Sequence, residues 1–264
     1  MSAVRFGVWI YPIVPATLIV DAIVRLDEAG VDEVWVADEG VAREPMAIFA
    51  AASQRTSRVR FGIGVTSPLL RHAGAVAASA MTVDELAAGR VTLGWGVGGH
   101  ESLDPFGLST TRPVGVVRDA LRIARAVVSR TANEHYRPPE HAAPARAIPQ
   151  YVGARGEQLN RLASREADGV FLSGFETERL STVIEHAHAH RPIEIALYQS
   201  VRYRTPEDRW SMAGDATSLA PRLAELVVRH RPTSFGLALV DGGDLSGMID
   251  DALRTFDHLR RIVN

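Results

Sequence analysis

Two acidic residues stand side by side where a short apolar segment ends. Asp38 and Glu39 follow Glu33–Ala37, whose valines and tryptophan predict a β-strand. Adjacent carboxylates at the end of a strand can accept a hydrogen bond and transfer a proton. The structural alternative is that both residues cap the loop before Pro45. We expect at least one of them to be functional and take Glu39 as the first candidate for proton transfer.

Glycines are concentrated at the ends of two further apolar segments. Gly94, Gly96, Gly98 and Gly99 belong to the fourth segment and its loop. They leave backbone on which a flat ring or a phosphate could lie directly. Gly64, near the end of the third segment, suggests a bulge or the close approach of a flat ligand. Close packing against a neighbouring strand is the alternative for Gly64.

A turn of small residues precedes the helix predicted to begin at Glu157. The turn consists of Gly153, Ala154, Arg155 and Gly156. Free amide groups at a helix N-terminus bind phosphate, and an arginine can add a bidentate contact. The alternative is an ordinary tight turn with Arg155 in solvent. Ser173 and Gly174, at the end of the next apolar segment, could add a hydroxyl and a second close backbone.

One histidine lies beside the glycine-rich segment. His100 directly follows Gly99 and is the second candidate for proton transfer. Glu101 and Asp104 share its loop and could simply order it. His72 could converge on the same place, but no third ligand is evident, so we predict no metal site.

Short β-branched segments alternate with longer amphipathic ones along the whole chain. The predicted strands are Val4–Ile10, Glu33–Ala37, Val59–Val65, Val91–Gly96, Pro149–Val152, Gly169–Ser173, Ile193–Tyr203 and Ser234–Val240. The predicted helices are Pro15–Ala29, Pro45–Arg55, Ala75–Ala88, Val114–Arg130, Glu157–Glu166, Glu178–Ala189, Leu219–Arg229 and Gly247–Ile262. Such alternation predicts parallel βαβ units and a (β/α)8 (TIM) barrel of the α/β class, formed by residues 1–264 as one domain. An open doubly wound sheet is the alternative, but no G-x-G-x-x-G turn follows the first strand.

The barrel assigns the loops to two faces. Chemistry in such barrels lies on loops that follow strands, here Val97–Pro113 and Arg204–Ser218 among others. Thr131–Ile148 follows a helix, so its histidines are discounted as catalysts. The insertions are short, which predicts a reduced lid and an open pocket.

Composition excludes several kinds of chemistry. The 264 residues contain no cysteine and no lysine, and the net charge is −2. Thiol nucleophiles, thiolate metal sites and Schiff-base chemistry are therefore excluded. No apolar run approaches the roughly 20 residues that span a membrane, and the near-neutral charge does not favour nucleic acid. Because the N-terminus leads straight into a strand, without a visible secretory signal, we expect a cytoplasmic protein.

Several motifs together resemble a known family. They are Phe6–Trp9, Glu33–Asp38, Arg60–Pro68, Gly89–Gly98 and Ile148–Gly156. In this order and spacing they resemble the bacterial-luciferase-like flavin and deazaflavin oxidoreductases. Among the branches of this family, the motifs most resemble the coenzyme F420-dependent reductases of the methylenetetrahydromethanopterin reductase type. The resemblance extends from residue 4 to about 175 and returns near the C-terminal helix.

The resemblance implies a barrel that holds the cofactor ring at its mouth. It implies a non-prolyl cis peptide at Gly64–Val65 that supports the ring. Asp38 and Thr66 are expected to contact the ring or its polar edge. Gly96 and Val97 are expected beside the ring and its ribityl chain. Gly153, Ala154, Arg155 and Gly156 are expected to hold the phosphate, with Ser173 and Gly174 completing that site.

Two positions depart from the sugar-phosphate dehydrogenases of the family. Those enzymes have a carboxylate and a histidine where this chain has Val97 and Glu39, which argues against sugar-phosphate oxidation. The expected function is hydride transfer between F420 and a small organic substrate. An FMN-dependent monooxygenase is one alternative, and a non-catalytic F420- or flavin-binding protein is another. The family also implies a homodimer that packs through Ala16–Ala29 and Pro45–Arg55.

Overall fold

The computed structural model describes residues 4–40, 42–142, 144–241 and 243–263. Its strands are β1 (Arg5–Ile10), β2 (Glu33–Val36), β3 (Arg60–Ile63), β4 (Val91–Trp95), β5 (Gln150–Gly153), β6 (Gly169–Ser173), β7 (Glu194–Arg202), β8 (Ser211–Ala213) and β9 (Ser234–Leu239). Its helices are α1 (Ala16–Glu28), α2 (Pro45–Ser53), α3 (Ala73–Leu86), α4 (His100–Leu103), α5 (Pro113–Ser129), α6 (Glu157–Glu166), α7 (Leu180–Ala187), α8 (Ala216–His230) and α9 (Leu245–Val263).

The strands close into a parallel barrel. β1 to β7 pair in sequence order, and β9 joins β7 to β1. This confirms the predicted (β/α)8 barrel and all eight predicted strand–helix units. The sequence did not predict β8, a three-residue strand that pairs with the last residues of β7. Such a short strand has too few residues to show any alternation.

Aromatic rings fill the interior of the barrel. Trp35 packs against Phe171 with ring centroids 4.7 Å apart, and Phe171 stacks on Tyr198 at 5.0 Å. Glycines in the strands provide the space for these rings. A Cβ atom at Gly62 would lie 2.3 Å from Trp35, and one at Gly236 would lie 2.0 Å from Tyr198. The glycines of these strands are therefore required by the core.

A polar network closes the interior at the amino ends of the strands. Arg5 binds Glu33 at 3.2 Å and Glu194 at 2.6 Å. Tyr198 donates to Glu33 at 2.7 Å, and Tyr151 donates to Glu194 at 2.5 Å. Each carboxylate thus has both an arginine and a phenol as partners. We call these five residues the lower network.

Within the described ranges, no helix is both long and apolar enough to cross a bilayer. Residues 1–3, which contribute to the expectation about the N-terminus, lie outside the described residues.

Candidate functional site

A cleft of about 730 Å³ opens at the carboxyl ends of the strands. Loops from all around the barrel contribute to it. The predicted site residues that line it are Asp38, Glu39, Gly64, Val65, Gly96, Val97, His100, Gly153, Ala154, Arg155, Ser173 and Gly174. Thr66 and Gly156 are adjacent in sequence but are not among the lining residues. The barrel therefore brings nearly the whole predicted set to one place.

The floor of the cleft is formed by aromatic and backbone groups. The Trp9 indole donates to the carbonyl oxygen of Gly64 at 2.5 Å. The peptide bond between Gly64 and Val65 is cis, as the family resemblance implied. Phe171 lies below, 3.2 Å from the position of a Cβ on Gly64. This floor is the top of the aromatic core, so it is held from beneath by close packing.

The space beside the glycines at the end of β4 is occupied by atoms of neighbouring residues. A Cβ at Gly96 would lie 2.4 Å from the Val65 side chain, and one at Gly153 would lie 2.7 Å from it. A Cβ at Gly94 would lie 2.2 Å from the Ile63 carbonyl oxygen. Val65 and Ile63 thus occupy the space beside both glycines. Gly96 still lines the cleft, whereas Gly94 is not among its lining residues. The Val65 side chain, half-buried, is the surface presented there.

Asp38 is a buried carboxylate with strong partners. It is 5% exposed and accepts from the Thr66 hydroxyl at 2.7 Å and from Arg71 Nε at 2.8 Å. Thr66 is fully buried and does not line the cleft, so its hydroxyl affects the cleft only by holding the Asp38 carboxylate. With a hydroxyl and a guanidinium as donors, Asp38 is a hydrogen-bond acceptor in the wall of the cleft.

Glu39 is in a different environment. Burial raises its pKa, a hydrogen bond from Ser102 opposes this, and the charges of Glu101 and Asp38 raise the pKa further. No arginine within the described residues pairs with it. Burial and the charges of Glu39 and Glu101 also raise the pKa of Tyr11, which lies in the same wall. A half-buried carboxyl with a raised pKa is suited to proton transfer near neutral pH.

The two histidines singled out from the sequence lie at the N-termini of helices. His100 lies at the rim on α4 with a side chain that is 98% exposed, 3.5 Å from Asp104. His72 is the N-cap of α3 and accepts from the Gly74 amide at 3.2 Å. No cluster of metal-ligating side chains is found in the part of the chain that the structure describes.

The opposite end of the cleft is built from backbone. Gly156 is the N-cap of α6, and no side chain caps this helix within the described residues. Asn160, which is fully buried, donates to the Gly156 carbonyl oxygen at 2.9 Å and fixes the turn. Arg155 reaches over Gly174, whose φ of +66° excludes most side chains. Gly153, Ala154, Arg155, Ser173 and Gly174 all line the cleft.

The segment after β7 covers this end. Arg202 holds it by contacts with Asp208 at 2.8 Å and Ser211 at 2.9 Å. It carries Trp210 into the cleft wall, with the Arg155 guanidinium 6.0 Å from the ring centroid. Arg209 stacks on the same ring at 4.0 Å. The short loop is therefore an ordered flap.

Several lining residues were not singled out from the sequence. They are Trp9, Tyr11, Phe171, Ser200 and Trp210. Trp9 and Tyr11 belong to the end of the first predicted strand and its loop, so their position was available as a signal. Trp210 was not predictable in the same way, because its placement depends on β8.

Together these features define a (β/α)8 barrel with a cleft between an acidic wall and a backbone-rich turn. The chain belongs to the luciferase-like monooxygenase family, whose model matches residues 1–234.

Curated relatives include F420-dependent enzymes. The chain is 25% identical over 193 residues to a 5,10-methylenetetrahydromethanopterin reductase of Methanolobus tindarius, covering 70% of this chain and 58% of that protein. It is 31% identical over 170 residues to an F420-dependent glucose-6-phosphate dehydrogenase of Kineococcus radiotolerans, covering 56% of this chain and 50% of that protein. The matches thus span little more than half the length of these relatives.

Solved structures share the fold. An F420-dependent secondary alcohol dehydrogenase in complex with an F420–acetone adduct has a TM-score of 0.78 at 15% identity, covering 98% of this chain and 100% of that chain. A monooxygenase from Streptomyces bottropensis has a TM-score of 0.75 at 16% identity, covering 98% of both chains. At these identities the likeness concerns the fold alone.

Proposed function

We propose that this protein is an F420-dependent oxidoreductase that transfers a hydride between the deazaflavin and a small organic substrate. The observation that carries the proposal is the single cleft that joins Glu39 at one wall to the Arg155 turn at the other. The curated relatives support the choice of cofactor, since they include enzymes named as F420-dependent.

The residues present fit a flat, phosphorylated cofactor. The aromatic floor and the Val65 side chain offer an apolar surface for a ring, and both are fixed by close packing. Arg155, Ser173 and the amides at the start of α6 would hold the phosphate. Asp38 would accept a hydrogen bond from a polar edge of the ring. When bound, the cofactor supplies the two-electron hydride chemistry.

Glu39 would move the proton that accompanies the hydride. Its raised pKa keeps a larger protonated fraction near neutral pH than an exposed glutamate has. In reduction, the protonated carboxyl donates to the substrate atom next to the carbon that accepts the hydride. In oxidation, the carboxylate takes this proton. Ser102 orients the carboxyl by its hydrogen bond to Glu39 Oε2.

Anaerobic mixing with reduced F420 tests the proposal. The protein is combined with reduced F420 and a panel of carbonyl, imine and activated alkene acceptors, and the return of the oxidised cofactor's absorbance is followed. We expect reoxidation with at least one acceptor. Oxygen consumption with reduced FMN and no turnover with F420 would instead identify a monooxygenase. Tight F420 binding without turnover on any acceptor would identify a binding protein and contradict the proposal.

A further inference from the structure

A second cavity opens beside the cleft. It has a volume of about 350 Å³ and lies between the loop after β1 and the segment that joins β9 to α9. It shares four lining residues with the cleft, namely Trp9, Tyr11, Glu101 and Val240. The two spaces therefore adjoin each other. We call it the side pocket.

The wall of the side pocket is apolar. Ile10, Leu239, Leu245 and Met248 are between 1% and 5% exposed and form its inner surface. Ile13 stands at its opening and is 48% exposed. Arg43 holds the Ile13 main chain by donating to its carbonyl oxygen at 2.7 Å. A preformed apolar pocket of this kind binds hydrocarbon in proportion to the area buried.

The entrance is acidic. Glu101 is the one charged side chain among the described residues that line the side pocket. Glu39 and Asp38 line the adjoining wall of the cleft. Tyr11 lies between the two spaces, and its hydroxyl is an uncharged hydrogen-bond donor at neutral pH. The Glu101 carboxylate would repel an anionic substrate at this entrance, whereas an uncharged polar group would find a hydrogen-bond donor in Tyr11.

We infer that the side pocket takes the apolar part of an uncharged substrate whose reacting carbon lies in the cleft near Glu39. The inference rests on the proposed function, because it names the substrate class of the same site. It excludes phosphorylated and carboxylated substrates. One water molecule occupies about 30 Å³ in the liquid. If each heavy atom of the substrate takes a similar volume, the side pocket holds an apolar chain or ring of roughly ten heavy atoms.

A homologous series tests this directly. The 2-alkanones from 2-butanone to 2-decanone carry one uncharged hydride acceptor and a growing chain. Their binding to the protein is followed by tryptophan fluorescence, and their reduction is followed with reduced F420. We expect Kd and KM to fall about three- to fourfold for each added methylene until the pocket is filled. Alkanoates of equal length should bind more than about tenfold more weakly, since a like charge at the entrance opposes them.

Two variants locate the effect. Ile13→Trp should fill the opening and abolish the dependence on chain length. Ile262→Trp is the matched control, because Ile262 is 52% exposed near the end of α9 and lines neither the cleft nor the side pocket. Glu101→Gln should tighten alkanoate binding while leaving 2-alkanone binding nearly unchanged.

The outcomes separate the two proposals. Chain-length dependence that disappears in Ile13→Trp and persists in Ile262→Trp supports the side pocket. Equal affinity along the series, or equal binding of ketones and alkanoates, overturns it even when F420 turnover is observed. Chain-dependent binding without any F420 binding would retain the pocket and overturn the proposed function.

Discussion

Carboxylates lie at both ends of the barrel, but in opposite environments. In the lower network, burial alone would raise the pKa of Glu194, yet hydrogen bonds from Tyr151 and Arg5 outweigh it and lower the pKa. At the mouth, burial raises the pKa of Glu39, and the Ser102 hydroxyl only partly opposes this. The paired carboxylate is suited to holding the strands together, and the poorly paired one is suited to exchanging a proton.

The two shifts have opposite consequences for stability. The pKa of Glu194 is lowered in the folded protein, so Glu194 stabilises the fold at pH values above the ordinary pKa of a glutamate. This contribution is lost as the pH falls through the folded-state pKa. The pKa of Glu39 is raised in the folded protein, so Glu39 contributes stability at pH values below the ordinary pKa of a glutamate. This contribution is lost as the pH rises through the folded-state pKa. Near neutral pH the charged form of Glu39 therefore opposes folding.

The largest effect is expected at Glu39. Glu39→Gln should lower kcat by about 100-fold or more, because the amide cannot exchange a proton. The limb of the pH–rate profile that belongs to Glu39 should disappear. In urea unfolding at neutral pH the variant should be as stable as the parent or more so. Glu178→Gln, an exposed control, should change neither rate nor stability, and a fully active Glu39→Gln would refute the assignment.

Removing the arginine of the lower network should mainly affect stability. Arg5→Met keeps an apolar stem like that of arginine but leaves Glu33 and Glu194 without the cation that binds them. We expect the free energy of unfolding to fall by about 3 kcal/mol. Arg55→Met removes an exposed pair with Asp21 and should change it by less than about 1 kcal/mol. If both variants lost the same free energy of unfolding, the lower network would stabilise the fold no more than an exposed ion pair does.

The contact between Gly96 and Val65 can be tested by compensation. Gly96→Ala should destabilise the protein by about 2 kcal/mol, since its Cβ overlaps the Val65 side chain. Adding Val65→Ala should restore part of this loss, as measured in a double-mutant cycle by urea unfolding. Strictly additive losses would contradict the close contact.

Arg155 should affect cofactor binding without affecting the fold. Its side chain is exposed in the cleft wall, so Arg155→Ala should leave the urea midpoint unchanged. The Kd for F420 should rise by about tenfold or more, the value of a charge-assisted contact. Arg118→Ala, an arginine on α5, controls for the loss of one positive charge. An unchanged Kd would place the phosphate elsewhere.

The smallest effect is expected at Trp210. Trp210→Ala removes the ring beside Arg155 and should weaken F420 binding about two- to fivefold, in line with a partly exposed cation–π contact. Trp210→Phe should restore most of the affinity. A loss as large as that of Arg155→Ala would mean that Trp210 contacts the cofactor itself.

Much of the molecule was predictable because the signals were local. The alternation of apolar segments predicts the barrel, and the turn Gly153–Gly156 predicts a site at the start of α6. The role of Gly96 was not predictable, because whether its space is open depends on Val65, which is distant in sequence. Arg5 and Glu194 are 189 residues apart in sequence, and they meet only when the strands close into the barrel. Pair partners of this kind are properties of the closed barrel.

Titration of the purified protein with F420 and, separately, with FMN tests the central claim most directly. Binding is followed by the fluorescence of each cofactor, at equal ionic strength and in the absence of substrate. We predict saturable F420 binding that is at least about tenfold tighter than FMN binding, a difference of about 1.4 kcal/mol. Preferential FMN binding, or the binding of neither cofactor, would contradict the account.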